Sequence, residues 1–297
     1  MPPSAHIDQV TVRGRSLWSD ALRRLLNNRA AVTAVAMLAF VILLAAVGPW
    51  LSPYDCDSPP DWKNMGVPPQ LEGGHWFGTD VLGNDLFVRT MCGVRVSLVI
   101  ALVATAVSLI IGVFYGSTAG IAGGRTDAAM MRFVDVMYSM PFVFFVIVLM
   151  IWFEGNIFLM FVAIGAVEWL TTARIVRGQT LSLKNRAFVE AARAMGVSTP
   201  RIITRHLIPN LLGPVVVYAT LTIPQVILFE SFLSYLGLGV KAPLMSLGVL
   251  IADGVNEMES KSWMLVIPGA FLTAILFCFN FIGDGLRDAL DPRDQPR

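Results

Sequence analysis

The stretch Glu190-Ala-Ala-Arg-Ala-Met-Gly196, followed thirteen residues later by Pro209, is the most informative part of this sequence. Residues 188–195 are predicted to form a short helix, because a glycine directly after them can adopt the left-handed conformation that ends a helix. Ser198 or Thr199 can cap a second helix, with a proline in its first turn, and Pro209 is expected to stop it. The result is two short helices set at an angle.

This polar element lies between two long apolar runs and is long for a connection. Loops in helical bundles usually take about 2–8 residues, whereas this one takes over thirty. Ala191 and Ala192 lack bulk, so a partner surface could approach the backbone closely, and Glu190 offers one fixed negative charge. The sequence favours a docking site for another protein over a mere connection between spans. A helix–turn–helix that reads DNA is disfavoured, because the chain is nearly neutral (+1).

Composition places most of the remaining chain in a membrane. The 297 residues are 55% apolar and 14% charged, with a mean hydropathy of +0.66, whereas soluble domains carry about 25% charged residues. A helix needs about 20 apolar residues to cross the hydrocarbon core. The stretches that qualify are Ala30–Leu51, Val96–Ala122, Val136–Phe153, Gly155–Ala173, Leu207–Phe229 and Ser262–Gly283. The sequence therefore predicts an all-α membrane protein with six transmembrane helices, and a tight hairpin at 154–156 between the third and the fourth.

Basic residues set the predicted orientation. If the N-terminus lies in the cytoplasm, the external members among the 22 lysines and arginines are Lys63, Arg89, Arg95, Lys241 and Lys261. Short cytoplasmic loops are enriched in these residues. Both termini and the loop that follows the fourth span are therefore predicted to be cytoplasmic.

The chain divides into five predicted segments. They are a cytoplasmic N-terminal segment with an amphipathic helix (1–29), a first transmembrane helix (30–51), an external segment (52–95), a five-helix core (96–283) that contains the cytoplasmic loop 176–210, and a cytoplasmic C-terminal tail (284–297). The amphipathic helix fits either the membrane surface or the surrounding water. The first apolar run is too long for a cleaved signal peptide.

Two carboxylates fall at membrane depth. Glu168 is the only ionisable residue inside the fourth apolar run, and charges there usually face the bundle interior. It could line a translocation path and meet a substrate amine, or it could be satisfied by Thr171 and Thr172. Glu230 opens the apolar stretch 231–239, which is too short to span and is expected to form an interfacial or re-entrant cap with a gating role.

The sequence contains no catalytic or metal-binding motif. No Gly-x-x-x-x-Gly-Lys-[Ser/Thr] phosphate loop occurs, so no nucleotide is expected to bind this chain in the usual cradle. His75, Asp80 and Asp85 could bind a metal, but they lie among turn-forming residues, and structural turns are favoured. The three cysteines are odd in number and lack metal spacing, which favours free thiols.

Motifs from end to end resemble one family of transport proteins. They are Arg15-Ser-Leu-Trp-Ser-Asp-Ala21, Asn28-Arg-Ala30, Phe77-Gly-Thr-Asp80, Ala173-Arg-Ile-Val-Arg-Gly-Gln-Thr180, Glu190-Ala-Ala192, Arg205-His206, Pro209-Asn210, Glu230-Ser-Phe-Leu-Ser-Tyr-Leu-Gly-Leu-Gly239 and Asp284-Gly-Leu-Arg-Asp-Ala-Leu-Asp-Pro292. The chain is similar to the C-type permease subunits (OppC/DppC type) of bacterial oligopeptide and dipeptide ABC importers, and it looks most like the oligopeptide subgroup. One departure is Gly83-Asn84-Asp85, where the family usually has Gly-Arg-Asp.

The resemblance implies a type I ABC importer permease fold in the bacterial cytoplasmic (inner) membrane. It implies a non-enzymatic subunit that works with a homologous second permease, two cytoplasmic ATP-binding subunits and an extracytoplasmic peptide-binding protein. The ATP-binding subunits, rather than this chain, would hold ATP. The residues that would contact them are Glu190, Ala191, Ala192, Gly196, His206 and Pro209.

Other functions remain open at this point. Permeases of this kind also carry dipeptides, glutathione or nickel complexes. A proton-coupled secondary carrier that uses Glu168 or Glu230 is the alternative from another class. Such carriers often contain inverted repeats, and the sequence shows none.

Overall fold

The computed structural model describes residues 17–152 and 157–290, and nearly all regular structure in these ranges is helical. The helices are α1 Leu17–Asn27, α2 Arg29–Leu51, α3 Leu86–Ala122, α4 Gly124–Ser139, α5 Phe142–Trp152, α6 Ile157–Leu183, α7 Ala187–Ala194, α8 Thr199–Ile202, a π-helical turn Ile203–Leu207, α9 Ile208–Tyr235, α10 Leu247–Asn256 and α11 Trp263–Leu290. α3 runs the length of the bundle. Residues 52–85 and α10 lie around the start of α3, and we call this end of the bundle the segment end. α7 lies near the other end of α3, which we call the loop end.

Within the described ranges, four helical stretches are long and apolar enough to cross a membrane: α2, α3, the continuous helix Thr199–Tyr235 and α11. α4 and α5 are bent by 79° and make a fifth candidate if they form one broken span. The break falls at Pro141, and Met140 before it is extended (ψ 138°), as expected of a residue that precedes proline. Six spans and cytoplasmic termini stay predictions. The hairpin at 154–156 lies outside the described residues.

Glycines line the contact between α3 and α6, which pack together along much of their length. Gly112, Gly116 and Gly120 recur every four residues on one face of α3. A Cβ atom on Gly112 would lie 2.5 Å from Thr172, and one on Gly120 would lie 2.7 Å from Thr180. Small residues at this spacing let two helix backbones approach closely. Bulkier side chains at these positions would force the two helices apart.

α2 and α3 are joined through a carbonyl group that a proline leaves free. Pro49 lies inside α2 and has no N–H, so the Ala45 carbonyl loses its usual partner four residues on. The Arg95 guanidinium of α3 replaces that partner: its Nε donates to the Ala45 carbonyl (2.6 Å) and its Nη2 to the Ala46 carbonyl (2.8 Å). One side chain thus satisfies the backbone of α2 and fixes its position on α3.

A disulfide fastens the segment between α2 and α3, contrary to the expectation of free thiols. Cys56 and Cys92 are bonded, with Cα atoms 6.3 Å apart, whereas Cys278 is free and buried. The two bonded residues are 36 positions apart, and only the fold brings them together. Disulfides persist in oxidising compartments, which agrees with the predicted external location of this segment.

Turns close this segment before α3 begins. Oδ1 of Asp80 accepts hydrogen bonds from two N–H groups of the following turn (2.8 Å each), and its Oδ2 pairs with Arg89. Asp85 caps the first turn of α3 (2.9 Å) and lies 3.0 Å from Nδ1 of His75. Hydrogen bonds thus occupy both carboxylates, as the turn interpretation predicts. Arg89, one turn into α3, supplies a positive charge beside the uncharged Asn84.

The N-terminal helix α1 packs across the loop end. Ala21 is buried, and Leu25 lies against Gly285 of α11. Leu22 and Leu26 are 57% and 63% exposed. This outward apolar face is what a helix on a membrane surface requires.

The apolar stretch 231–239 is not a separate cap. Ser231–Tyr235 forms the last turns of α9, and Gly237 (φ 77°) ends the helix. No proline or glycine lies between Glu230 and Gly237, so the helix continues past Glu230. The short apolar helix at this end of the bundle is α10 instead.

Candidate functional site

α7 and α8 lie on a small apolar core at the loop end. The buried cluster comprises Val113, Ile121, Val176, Val189, Ala192, Ile202, Ile203, Leu207 and Leu211. Its members come from α3, α6, α7 and the helix Thr199–Tyr235. The loop is therefore fastened to three long helices and does not hang free from them.

α7 has an inner and an outer face, and the two alanines of the quoted stretch lie on different ones. Ala192 is 1% exposed and packs inside the core, so no partner surface can reach it. This corrects the prediction that both alanines face a partner. Glu190 and Ala191 are exposed, together with Phe188 (38%) and Met195 (74%).

Gly196 takes the left-handed conformation that the sequence predicts, at φ 75°. Its N–H donates to the Arg193 carbonyl (2.9 Å), and the Val197 N–H donates to the Ala192 carbonyl (3.0 Å), the paired bonds of a Schellman motif. No atom lies within 4 Å of a Cβ built at this glycine. A substitution there would therefore meet only the backbone penalty, roughly 1–2 kcal/mol.

The second helix of the loop does not stop at Pro209, and that prediction is wrong. α8 passes through the π-helical turn Ile203–Leu207 into α9, so one helix runs over Thr199–Tyr235. Pro209 lies in the first turn of α9. Proline has no N–H to donate, and the wider π-helical turn before it lets the helix continue without that hydrogen bond. His206 is half-buried in the π-helical turn, and its carbonyl accepts from Asn210 Nδ2 (2.6 Å).

Two ion pairs join α4 to α6, and the sequence did not reveal them. Arg177 contacts Asp127 through Nε (2.5 Å) and Nη2 (2.7 Å), and Arg174 contacts Asp135 (2.7 Å). The Arg174 guanidinium also lies over the Tyr138 ring, 4.3 Å from its centroid. Both arginines belong to the quoted motif 173–180, but their acidic partners lie on another helix and have no marked spacing.

Glu230 is enclosed at the segment end. Its side chain is 0% exposed, and its carboxylate accepts from Ser97 of α3 (3.3 Å), Ser234 of α9 (2.7 Å) and Ser246 before α10 (2.5 Å). Ser97 also accepts from the Leu247 N–H (3.1 Å), and Ser246 caps α10. A negative group close to a helix N-terminus is favourable. The cluster thus joins three helices around one carboxylate.

Glu168 has a different environment. It is half-buried on α6, and no hydrogen bond or ion pair reaches its carboxylate from the parts of the chain that the structure describes. Of the two threonines offered as partners, Thr171 pairs with the Tyr138 hydroxyl. Thr172 lies 3.2 Å from the Ser108 hydroxyl and donates to the main-chain carbonyl of Glu168 (3.4 Å). The threonine hydroxyls are therefore engaged elsewhere.

Comparison with known families identifies the class of protein. Residues 108–294 match the family described as binding-protein-dependent transport system inner membrane component. Residues 16–69 match the N-terminal TM domain of oligopeptide transport permease C. The chain belongs to the family of inner-membrane components of binding-protein-dependent transport systems. It is a multi-pass membrane component of a transporter and not an enzyme.

Individual relatives refine this assignment. The chain is 53% identical over 289 residues to the oligopeptide transport system permease protein OppC of Haemophilus influenzae, covering 97% of this chain and 93% of that protein. It is 53% identical over 288 residues to the protein of the same name from Escherichia coli K12, covering 97% and 95%. A chain of the MetNI methionine ABC transporter, solved in an inward-facing conformation, matches with a TM-score of 0.54 at 20% identity and covers 67% of this chain and 94% of that one. This last likeness shows the type I permease fold.

Proposed function

We propose that this chain is the C-type permease subunit of an ATP-driven importer that carries oligopeptides into the cytoplasm. The names of two relatives at 53% identity support the substrate class. The complex would contain a homologous second permease, two ATP-binding subunits on the cytoplasmic side and an extracytoplasmic peptide-binding protein. ATP would bind those partner subunits, and this chain would hold no cofactor.

The outer face of α7 is the observation that carries the docking proposal. Phe188, Ala191 and Met195 are exposed at positions i, i+3 and i+7, which is how an amphipathic helix presents its anchors to a groove. Glu190 lies among them and can pair with a basic group across the interface. Contiguous exposed apolar side chains are typical of protein interaction sites. We therefore assign the ATP-binding subunit to this face.

The inner face of α7 supplies the means of transmission. Because Val189 and Ala192 are buried against α3, α6 and the helix that enters α9, movement of the docked subunit would move the ends of these helices together. His206 and Pro209 belong to the same mechanical unit, since both lie where the loop enters α9. Their role in the proposal is to shape this junction.

Glu230 has a structural role in this proposal, although it was a candidate gate or proton site. Three hydroxyl donors and complete burial leave it no contact with a passing substrate. It holds α10 on α3 and α9. A secondary carrier that protonates and deprotonates Glu230 in each cycle would have to break this cluster every time.

The docking proposal is tested by Gly196→Val and Glu190→Lys in the reconstituted complex. Both variants should insert at normal levels, but ATP hydrolysis stimulated by binding protein and peptide should fall at least tenfold. Glu190→Lys would remove an interfacial charge pair worth about 2–5 kcal/mol if it is buried, and Gly196→Val would strain the turn that ends α7 by roughly 1–2 kcal/mol. The ATP-binding subunits should also co-purify less.

A matched control exists at the other end of the bundle. Gly237 has nearly the same conformation (φ 77°) and likewise no atom within 4 Å of a Cβ built on it. Gly237→Val should retain the ATP-binding subunits at the wild-type level. Normal retention and full stimulation in both loop variants, at normal expression, would refute the docking assignment.

A further inference from the structure

We infer that the exposed polar face of α6 is this chain's part of the translocation path, and that Glu168 binds the cationic amino end of a passing peptide. This inference rests on the proposed function. It adds the residue that contacts the substrate and the chemical group that this residue recognises.

The polar face is a continuous stripe on one side of the helix. Glu168, Thr171 and Arg174 follow one another at intervals of three; Glu168 is half-buried, and the other two are exposed. The side chains of Arg174 and its partner Asp135 are 47% and 57% exposed. By contrast, the exposed residues of α5 are apolar, including Phe144 at 68%.

Such a stripe cannot face lipid. Charged side chains inside a membrane face other protein or a water-filled space, because hydrocarbon does not solvate them. α4 borders this face through Tyr138 and Asp135, and the described residues leave Glu168 partly exposed beside them. In a complex of two permeases, the space between them is where such a face can meet water and substrate.

Charge decides which end of a peptide the stripe binds. Arg174 is already paired with Asp135, so these two charges cancel, and among the residues that the structure describes none pairs with the Glu168 carboxylate. A carboxylate forms its strongest hydrogen bonds with a cationic donor, and every unmodified peptide has one at its amino end. The Tyr138 and Thr171 hydroxyls, already bonded to each other, lie one turn along the stripe and can exchange that bond for a peptide group.

Uptake by liposomes that contain the complete complex tests the inference with two probes. One is tetra-alanine, and the other is its desamino analogue, in which hydrogen replaces the α-amino group. Each is supplied already bound to the binding protein, with capture checked by tryptophan fluorescence. Glu168→Gln should slow ATP-dependent uptake of tetra-alanine by about tenfold, the effect of one charge-assisted bond, and leave the analogue unchanged. Glu168→Asp should keep most of the tetra-alanine rate.

A matched carboxylate-to-amide change is Glu72→Gln, which alters an exposed residue at the segment end. It should slow neither probe. Equal slowing of both probes by Glu168→Gln would overturn the inference. Loss of the second permease from the purified Glu168→Gln complex would also overturn it, because Glu168 would then be a contact between subunits. If the wild-type complex takes up neither probe with ATP, the proposed function fails instead.

Cysteine labelling gives an independent measurement that does not depend on capture of the analogue. In the wild type, Cys56 and Cys92 are bonded to each other and Cys278 is buried, so little background labelling is expected on this chain, whose label is read separately on a gel. A cationic methanethiosulfonate reagent should modify Glu168→Cys in the assembled complex. Binding protein loaded with tetra-alanine, together with ATP, should slow that modification severalfold. An unchanged labelling rate would refute a place for this residue in the path.

Discussion

At the segment end of the bundle, Glu230 is fully buried, three serines donate to it, and a disulfide holds the chain that leads into α3. At the loop end, α7 exposes Phe188 and Met195 with a glutamate beside them. The Glu230 cluster is closed by side chains of this chain, whereas no described residue of this chain covers the outer face of α7. The comparison is between a polar site complete within this chain and a helix face that, in our proposal, another subunit covers.

Removing the Glu230 carboxylate should have the largest effect on stability. Glu230→Ala leaves the three serine hydroxyls without their acceptor, and an unsatisfied buried group costs about 1–3 kcal/mol. We expect a loss of roughly 3–5 kcal/mol in the free energy of unfolding, measured by thermal unfolding of the complex in detergent. Glu230→Gln keeps one acceptor oxygen and should lose less. Equal stability of Glu230→Ala and the wild type would show that the Glu230 cluster does not stabilise the segment end.

Breaking the disulfide should have the next largest effect, and it should be confined to the segment end. Cys56→Ser combined with Cys92→Ser should cost about 2–4 kcal/mol and should make residues 57–91 sensitive to protease. A reductant should produce the same sensitivity in the wild type and add nothing in the double variant. Cleavage that appears at the loop instead would show that the two ends are not independent.

Two substitutions on α7 should give the smallest change in stability and the sharpest comparison. Val189→Ser places a hydroxyl in the core of the loop and should cost about 2 kcal/mol. Met195→Ser, on the outer face, should stay within about 0.5 kcal/mol, yet weaken retention of the ATP-binding subunits. Co-purification and thermal unfolding of the same two samples separate these effects. Similar losses of stability in both would mean that the outer face is already covered within this chain.

The sequence predicted the features that depend on neighbouring residues. Gly196 ends α7 because both hydrogen bonds of its Schellman motif lie within five residues. Which of the two alanines beside Glu190 faces outward was harder to predict, because adjacent positions on a helix point about 100° apart. Val189, three residues before Ala192, marks the inner face and is the signal that could have assigned them correctly.

Features that depend on contacts between distant residues could not be predicted. Two of the serines around Glu230 come from positions 97 and 246, on other elements, and the bonded cysteines are 36 residues apart. Pro209 misled for another reason: a proline stops a helix only where the helix cannot adapt, and a π-helical turn before it supplied the adaptation. The spacing of residues in the sequence contains no sign of that turn.

The helix that begins at Thr199 has a mechanical consequence. Its 37 residues extend for about 55 Å at 1.5 Å per residue, from the loop to a point five residues beyond Glu230. The π-helical turn lies close to the loop end of this helix, and Pro214 and Pro224 lie farther along inside α9. If a docked subunit moves the loop, as we propose, the displacement can reach Glu230 and the helix α10 that it holds along one continuous stretch of backbone.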